Sequence, residues 1–327
     1  MTQKILKFGD ISIGENFPPV TIAEAAVEHL GSLKVAMRMA EKAKDIGADM
    51  IKFQMHLPEK EMIPDVIKFW GGSLDEILEN YNLSIDDHKA LIKYCKEIGI
   101  QYLCTPFCPD AVDLLNELGV VGFKTGSGEM TNFPLMERII KTGKPVIIST
   151  GMCSFDEIKE TVNFMKKHDA NFMLTNCTSI YPPPYETINL KLIPKYREQF
   201  DIHIGHSDHT PDIWTALGAV ALGAKVIEKH FTLSKSMKGP DYEVSLEPKE
   251  FKQMIEAIRK INLALGSEKK IYADELPVRN WAHHSVVTRL DIPINTRLTE
   301  NMITVKRPGL GIPAKHLTEL FGYKSSK

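Results

Sequence analysis

His209 and His230 each close a short apolar run, Asp201-Ile-His-Ile-Gly-His-Ser207 with its Asp-His extension and Gly223-Ala-Lys-Val-Ile-Glu-Lys-His230. Neutral imidazole is a common metal ligand, and two rings on neighbouring strand ends beside carboxylates suit a divalent ion such as Mn²⁺, Co²⁺ or Fe²⁺. His203 and His206 make the same stretch look like a denser cluster, but strand alternation puts His206 on the face opposite Ser207 and removes it from the set. Lys52 and Lys124 also end apolar runs. A buried ammonium is costly without an anionic partner, and a phosphate is the natural candidate. Lys124 leads into Thr125-Gly-Ser-Gly-Glu129, where Gly126 and Gly128 would let backbone N–H groups approach phosphate oxygens and Ser127 adds a hydroxyl. Taken alone that loop is equally a tight turn; Ser149 and Ser207, at the ends of two further runs, make it a phosphate site.

These residues need a scaffold that brings strand ends together. Eight apolar runs recur in order: Pro19 to Glu24, Gly47 to Gln54, Gly99 to Thr105, Gly119 to Lys124, Gly143 to Ser149, Asn171 to Thr178, Asp201 to Ser207 and Gly223 to His230. Amphipathic segments such as Leu33 to Ile46 and Phe155 to His168 lie between them, with glycine where the helix would stop. Alternating strands and helices of this length require parallel crossovers, and eight of them predict a closed (β/α)₈ TIM barrel. No Gly-x-Gly-x-x-Gly follows the first strand, against a dinucleotide-binding sheet. In a barrel the site is assembled from the C-terminal strand ends, and those ends are nearly all polar: Glu24, Lys52 with Gln54, Thr105, Lys124, Ser149, Thr178, Ser207 with His209, and Glu228 with His230. Any one of them is as readily an N-cap or a satisfied core group; the whole series points to one shared site. The long insertion between Gln54 and the helix near Ser84 is placed to act as a lid. The last barrel helix is expected over Pro248 to Leu265. We therefore divide the chain into a barrel, residues 1–268, a linker, 269–282, and a small β-rich module, 283–327, with a helix-capping signal at Leu298-Thr-Glu300.

Forty basic and 42 acidic residues leave a formal charge of -2, so no global field would attract nucleic acid or an anionic membrane. The opening residues lead into no apolar run of signal-peptide length and no stretch approaches a membrane-length run, so a cytoplasmic location is expected. Five cysteines between Cys95 and Cys177 are an odd number and form no secreted disulfide framework. Cys104 and Cys108, four residues apart, have no second Cys/His pair at finger spacing and read as packing residues.

The series resembles the sialic acid synthase family, with its legionaminic and pseudaminic acid synthase relatives, over essentially the whole chain. Ile22-Ala-Glu24 with His29-Leu-Gly31, Lys52-Phe-Gln54, Thr105-Pro-Phe107, Lys124-Thr-Gly-Ser-Gly-Glu129 and Ser149-Thr-Gly-Met152 carry the likeness in order. Tyr181-Pro-Pro-Pro-Tyr185, Ser207-Asp-His-Thr210, Glu228-Lys-His-Phe-Thr232, Gly239-Pro-Asp241 and Val305-Lys-Arg-Pro-Gly309 continue it. The resemblance implies an enzyme that condenses phosphoenolpyruvate with an N-acylated amino sugar, N-acetylmannosamine or a related hexose. It implies His209 and His230 as ligands of a divalent metal, Mn²⁺ first and Mg²⁺ or Co²⁺ as alternatives. Lys52, Thr105, Lys124, Ser127, Ser149 and Ser207 would cradle phosphoenolpyruvate. Glu24 and Glu129 would act at the reacting centre, and Gln54, Tyr181 and Asp241 would meet the sugar. The tail resembles a shortened antifreeze-like (SAF) domain, which in a domain-swapped homodimer would offer Arg307 to the partner's sugar. The chain departs from the family at Val27-Glu28-His29-Leu30, where Asn commonly precedes the His, and at His206, usually apolar or aromatic. Two other readings share these residues: a metal aldolase that cleaves rather than condenses, and a sugar-phosphate binding protein without chemistry.

Overall fold

The computed structural model describes residues 4–64, 66, 68–69 and 72–326. Contacts divide them into two units, Met1–Leu265 and Gly266–Lys327. In the first, eight parallel strands form one sheet: β1 (Val20–Ala26), β2 (Met50–Met55), β3 (Gln101–Pro106), β4 (Phe123–Thr125), β5 (Val146–Ser149), β6 (Phe172–Cys177), β7 (Ile204–Asp208) and β8 (Val226–His230). Hydrogen-bonded ladders run in the order β3-β2-β1-β8-β7-β6-β5-β4, and β3 and β4 meet at the remaining seam. Every predicted run is therefore a strand, and the sheet curls into the expected barrel.

Eight helices pack outside it: Leu33–Asp45, Ile85–Ile98, Pro109–Glu117, Phe133–Lys141, Phe155–Lys167, Leu192–Phe200, Trp214–Ala221 and Pro248–Ala264. Their stops follow from backbone chemistry, since Gly99 sits at φ 74° as a left-handed cap, a conformation that costs other residues their Cβ clearance. The two ends of the barrel interior differ. At the N-terminal end Ile22, Met50, Leu103, Ile147, Met173 and Val226 fill it, and Leu6, Phe8 and Ile13 of an N-terminal hairpin plug it. The opposite end carries the polar series, so burial energy is concentrated where no chemistry is needed.

The insertion expected as a lid carries a short helix, Pro58–Glu61, and a second, Leu74–Tyr81; residues 65, 67, 70 and 71 of it lie outside the described residues. Cys104 and Cys108 are buried in the core behind the strands. Among the described residues no helix is long and apolar enough to cross a membrane.

Two neutral histidines are built into the first unit. His88 bonds the Tyr102 hydroxyl through Nδ1 at 2.8 Å, and His29 Nδ1 accepts the Gly31 N–H at 3.2 Å. Burial pushes both imidazoles down to about 4, against about 6.5 in an unfolded chain. Their contribution is complete above that unfolded value and is lost as pH falls towards 4, where folding must exclude protons that the unfolded chain binds. Urea unfolding should show stability falling between pH 7 and pH 5, and His88→Gln should make that fall shallower. An unchanged slope in the variant would assign the acid sensitivity elsewhere.

The second unit holds a helix, Leu276–Ala282, an antiparallel pair, Ser285–Thr288 with Ile303–Lys306, and 3₁₀ turns at Ala314–His316 and Thr318–Leu320. The segment read as a linker, 269–282, thus contains helix and groups with this unit. The capping signal at Leu298-Thr-Glu300 starts no helix: Met302 N–H closes a turn on Thr299 O, because Ile303 is taken at once into the ladder with Thr288. Among its described residues Ser285 and Ile303 are the buried ones, a very small core.

Candidate active site

Strand register assembles the polar end of the barrel. Glu24 on β1 is level with His230 on β8 and Lys52 on β2, while Cys177, Ser207 and Glu228 share a level on β6, β7 and β8. Lys52 Nζ lies 2.7 Å from Glu24 and 3.8 Å from Glu228, and donates to Thr105 Oγ1 at 3.0 Å. Gln54 Nε2 donates to Glu24 Oε1 at 3.2 Å. Ser207 Oγ donates to Glu228 Oε1 at 2.8 Å, and Lys124 Nζ is 3.7 Å from the same oxygen.

The anionic partners expected for the two lysines include carboxylates of the chain itself, Glu24 beside Lys52 and Glu228 near both. Sequence reasoning placed Glu228 at a strand end and gave it no role, because the residue on which its charge acts belongs to other strands. The two lysines differ. Burial alone would lower Lys52, but Glu228 and Glu24 carry it above its ordinary value. Burial lowers Lys124 and Glu228 opposes this only in part. The close hydrogen bond of Lys124 among the described residues goes to Thr125 O, at 2.9 Å, and an ammonium has three donors. Lys124 is thus the cation with capacity left for an anion. Burial raises the Glu24 carboxyl against the pull of Lys52; burial would raise Glu228 too, but Lys124, Lys52 and Ser207 hold it low.

Beside this lattice Ser127 Oγ meets Ser149 Oγ at 2.9 Å and Cys177 Sγ at 3.6 Å. A Cβ on Gly151 would stand 2.5 Å from Ser127 Oγ and 3.1 Å from Cys177 Sγ, so the absent side chain keeps a hydroxyl-lined hollow open. In the Lys124 loop a Cβ on Gly128 would meet nothing within 4 Å, so its backbone is open to close approach. Gly126 has φ -62°, and Ser127–Glu129 is a 3₁₀ turn. Cys177 was missed for want of any motif around it. Burial pushes its thiol up, yet His209 and the Ser149 and Ser127 hydroxyls bring it down to about 6.

His209 follows β7 and its Nδ1 donates to Thr178 O at 2.7 Å. In that tautomer Nε2 presents its lone pair inward, where the Tyr181 hydroxyl meets it at 3.0 Å. The His209 and His230 ring centroids are 5.3 Å apart. His230 Nδ1 is buried with no hydrogen-bond partner among the described residues, 3.5 Å from Asp241 Oδ2. Burial drives His230 well below its ordinary value and so keeps it neutral, the state that ligates a metal. Burial first, then the charges of Glu28 and Glu24, push Asp241 up to about 7. Behind the two rings the preceding residues pair on the outer face: Lys229 Nζ reaches Asp208 Oδ2 at 3.0 Å, both side chains fully buried, tying the ends of β7 and β8 together.

The donor set fits a divalent cation. It offers His230, neutral and with an unpartnered buried nitrogen, beside His209, which burial would lower but Cys177 carries above its ordinary value, so that a bound cation would displace its proton. No group of three or more His, Cys, Asp or Glu is gathered for a metal among the described residues, so an ion held by the two rings would take its remaining ligands from oxygen of water or substrate. His206 stays outside, as alternation required, with Nδ1 on Asn176 O at 3.0 Å. Glu129 turns to Asn132, whose Nδ2 donates to it at 2.5 Å, and Arg307 belongs to the second unit, its guanidinium 5.2 Å from the Trp281 ring centroid.

The chain matches known proteins along nearly its full length. The profile of the NeuB family matches residues 39–270 and that of the SAF domain residues 283–327. It is 40% identical to the N,N'-diacetyllegionaminic acid synthase of Campylobacter jejuni, over 94% of this chain and 95% of that protein. It is 38% identical to the human N-acetylneuraminate-9-phosphate synthase, over 95% and 90% respectively. Among solved structures, the N-acetylneuraminic acid synthetase of Leptospira borgpetersenii, in complex with citrate, superposes with a TM-score of 0.77 at 32% identity, covering 84% of this chain and 95% of that one.

Proposed function

Because the chain belongs to the NeuB family, we propose that it is a nonulosonic acid synthase that joins phosphoenolpyruvate to the open-chain aldehyde of an N-acylated amino sugar. Carbon 3 of phosphoenolpyruvate bonds to the aldehyde carbon, water adds at carbon 2, and phosphate leaves. The observation that carries the reading is the lysine and carboxylate lattice of Lys52, Lys124, Glu24 and Glu228, set beside the Ser127 and Ser149 hydroxyls and the His209 and His230 pair at one barrel mouth. Lys124, Ser127 and Ser149 hold the phosphate; Lys52, Thr105 and Ser207 orient the rest of the molecule. Glu24, fixed by Lys52 and Gln54, faces the cationic character that develops at carbon 2 and moves the proton there. Glu129 reaches the reacting centre only if its bond to Asn132 opens. A divalent cation, Mn²⁺ in our reading with Mg²⁺ or Co²⁺ as substitutes, when held by His209 and His230 supplies Lewis acidity to the acceptor carbonyl. Gln54, Tyr181 and Asp241 orient the sugar around it.

The test is phosphate release from phosphoenolpyruvate with a panel of N-acylated amino sugars, N-acetylmannosamine included, with the coupled product weighed by mass spectrometry. Phosphate and a condensed product support the synthase. Cleavage of nonulosonic acids without phosphate release would indicate an aldolase, and binding without turnover a sugar-phosphate binding protein.

Arg307 is proposed to act on the sugar of a partner copy, a reading supported by the two-residue core of its unit, which gains burial only by docking. Arg307→Ala and His230→Ala proteins, each inactive alone, should on mixing restore roughly a quarter of all sites in a C₂ dimer, since half the dimers are mixed and each holds one whole site. No recovery after verified subunit exchange would place Arg307 over its own barrel.

A further inference from the structure

The loop between β1 and the helix Leu33–Asp45 contains a fully buried carboxylate outside the lysine lattice. It belongs to Glu28. Two residues around it, Ala26 at φ 44° and Leu30 at φ 51°, adopt left-handed backbone, which non-glycine side chains keep only where surrounding contacts impose it. The register of β1 against β2 slips between Glu24 and Ala26, so the chain is re-aimed just after the Glu24 carboxylate enters the site. What this conformation presents is the Glu28 side chain, directed at the loop that follows β8.

There Glu28 Oε1 accepts the backbone N–H of Asp241 at 2.7 Å. Gly239 lies flat on the same carboxylate: a Cβ on it would stand 2.4 Å from both oxygens. From the other side the Asp241 carbonyl accepts the Ser245 N–H at 3.1 Å and the Ser245 hydroxyl at 2.9 Å. The Asp241 backbone is thus held at both its donor and its acceptor, and its carboxylate is left 3.5 Å from His230 Nδ1. A clasp across more than two hundred residues of sequence, made at the single residue between Gly239-Pro240 and the rest of that loop, fixes one side chain in the site.

We propose that Glu28 is the positioning residue of the acceptor half of the site, setting through the Asp241 backbone where the Asp241 carboxylate meets the sugar. The inference rests on the synthase reading above, in which Asp241 contacts the acceptor. It separates the two substrates, because the hydrogen-bond partners of Glu28, Asp241 and Thr232, are not among the residues assigned to phosphoenolpyruvate. It also makes Gly239 necessary for a steric reason rather than a conformational one, since only a glycine leaves room for the carboxylate.

The experiment uses the full-length protein with saturating Mn²⁺, phosphoenolpyruvate and the most active sugar of the panel, and follows the Asp241 amide by hydrogen exchange. Glu28→Ala should speed exchange at Asp241 and raise the acceptor KM about tenfold, the loss of one buried hydrogen bond, with the phosphoenolpyruvate KM within about twofold. Glu28→Gln keeps an acceptor oxygen at the same reach and should recover most of the acceptor KM. Gly239→Ala should reproduce the Glu28→Ala defect in an otherwise unchanged protein, yet add little to it in the double variant, where the oxygens it strikes are gone. An unchanged Asp241 exchange rate in Glu28→Ala, an equal rise in both KM values, or a Glu28→Gln defect as large as that of alanine would each overturn the proposal. Should the unsubstituted protein turn over no sugar, the synthase reading fails, and the acceptor role falls with it even if Asp241 exchange shows the clasp.

Discussion

His230→Ala is expected to lower turnover by about a thousandfold or more, because Lewis-acid stabilisation of several kcal/mol is lost at the acceptor carbonyl. The ring is buried, neutral, and holds a nitrogen without a hydrogen-bond partner among the described residues, so in the proposed reading its removal takes away a metal ligand. Exhaustive chelation of the unsubstituted protein should have the same effect, and Mn²⁺ should reverse it. Electron paramagnetic resonance of added Mn²⁺ gives a readout free of catalysis: the bound fraction seen with the parent protein should vanish in His230→Ala at the same concentration. Full activity after verified metal removal would sink the assignment. Mn²⁺ binding that survives the substitution would move the site away from this ring.

Lys124→Ala carries the second large effect. The lysine is buried, loosely matched by Glu228 at 3.7 Å, and donates to one backbone carbonyl, so a phosphate would gain its remaining N–H groups at little cost to the fold. Losing a charge-assisted contact should raise the phosphoenolpyruvate KM by about tenfold to a hundredfold while the acceptor KM stays nearly constant. The substitution has a second consequence, because Glu228 would keep Lys52 at 3.8 Å as its remaining lysine. Removing one partner of a buried pair costs about 3–5 kcal/mol when the other charge is left bare, and less here because Lys52 and Ser207 stay beside Glu228. Lys124→Ala should therefore also lower the thermal midpoint, and Lys124→Ala with Glu228→Gln should recover the midpoint without recovering phosphoenolpyruvate affinity. That divergence distinguishes a binding lysine from a structural one. If the acceptor KM rose instead, the two halves of the site would have to be exchanged.

The balance of charge at the barrel mouth bears on both results. Two lysines and two carboxylates held by mutual contacts need little rearrangement when a substrate arrives, which is the condition under which fixed charges stabilise a transition state most effectively. Glu24 is the member closest to both halves, level with His230 on one side and paired with Lys52 on the other.

Much of this protein was determined by local rules that a sequence displays directly. Strands alternating with amphipathic helices leave parallel crossovers as the available connection, and eight repeats close a barrel; each of the eight runs is a strand. The same periodicity assigned the polar residue at each strand end to the mouth and turned His206 away, because side chains alternate every residue along an extended chain. Tertiary structure decided what those residues do to one another. Glu228 lies near both Lys124 and Lys52 only because register sets β8 beside β1 and β7, and Cys177 meets His209 only across β6 and β7. Glu129 is paired with Glu24 by the family resemblance and not by a strand end; it sits on a 3₁₀ turn, where no strand period governs direction, and it turns to Asn132. Glu28 stood out in the sequence as a departure without a partner. Its partner is the backbone of Asp241, and a contact between an N–H and a carboxylate 213 residues apart leaves no local pattern, since its geometry exists only once β1 and β8 are paired.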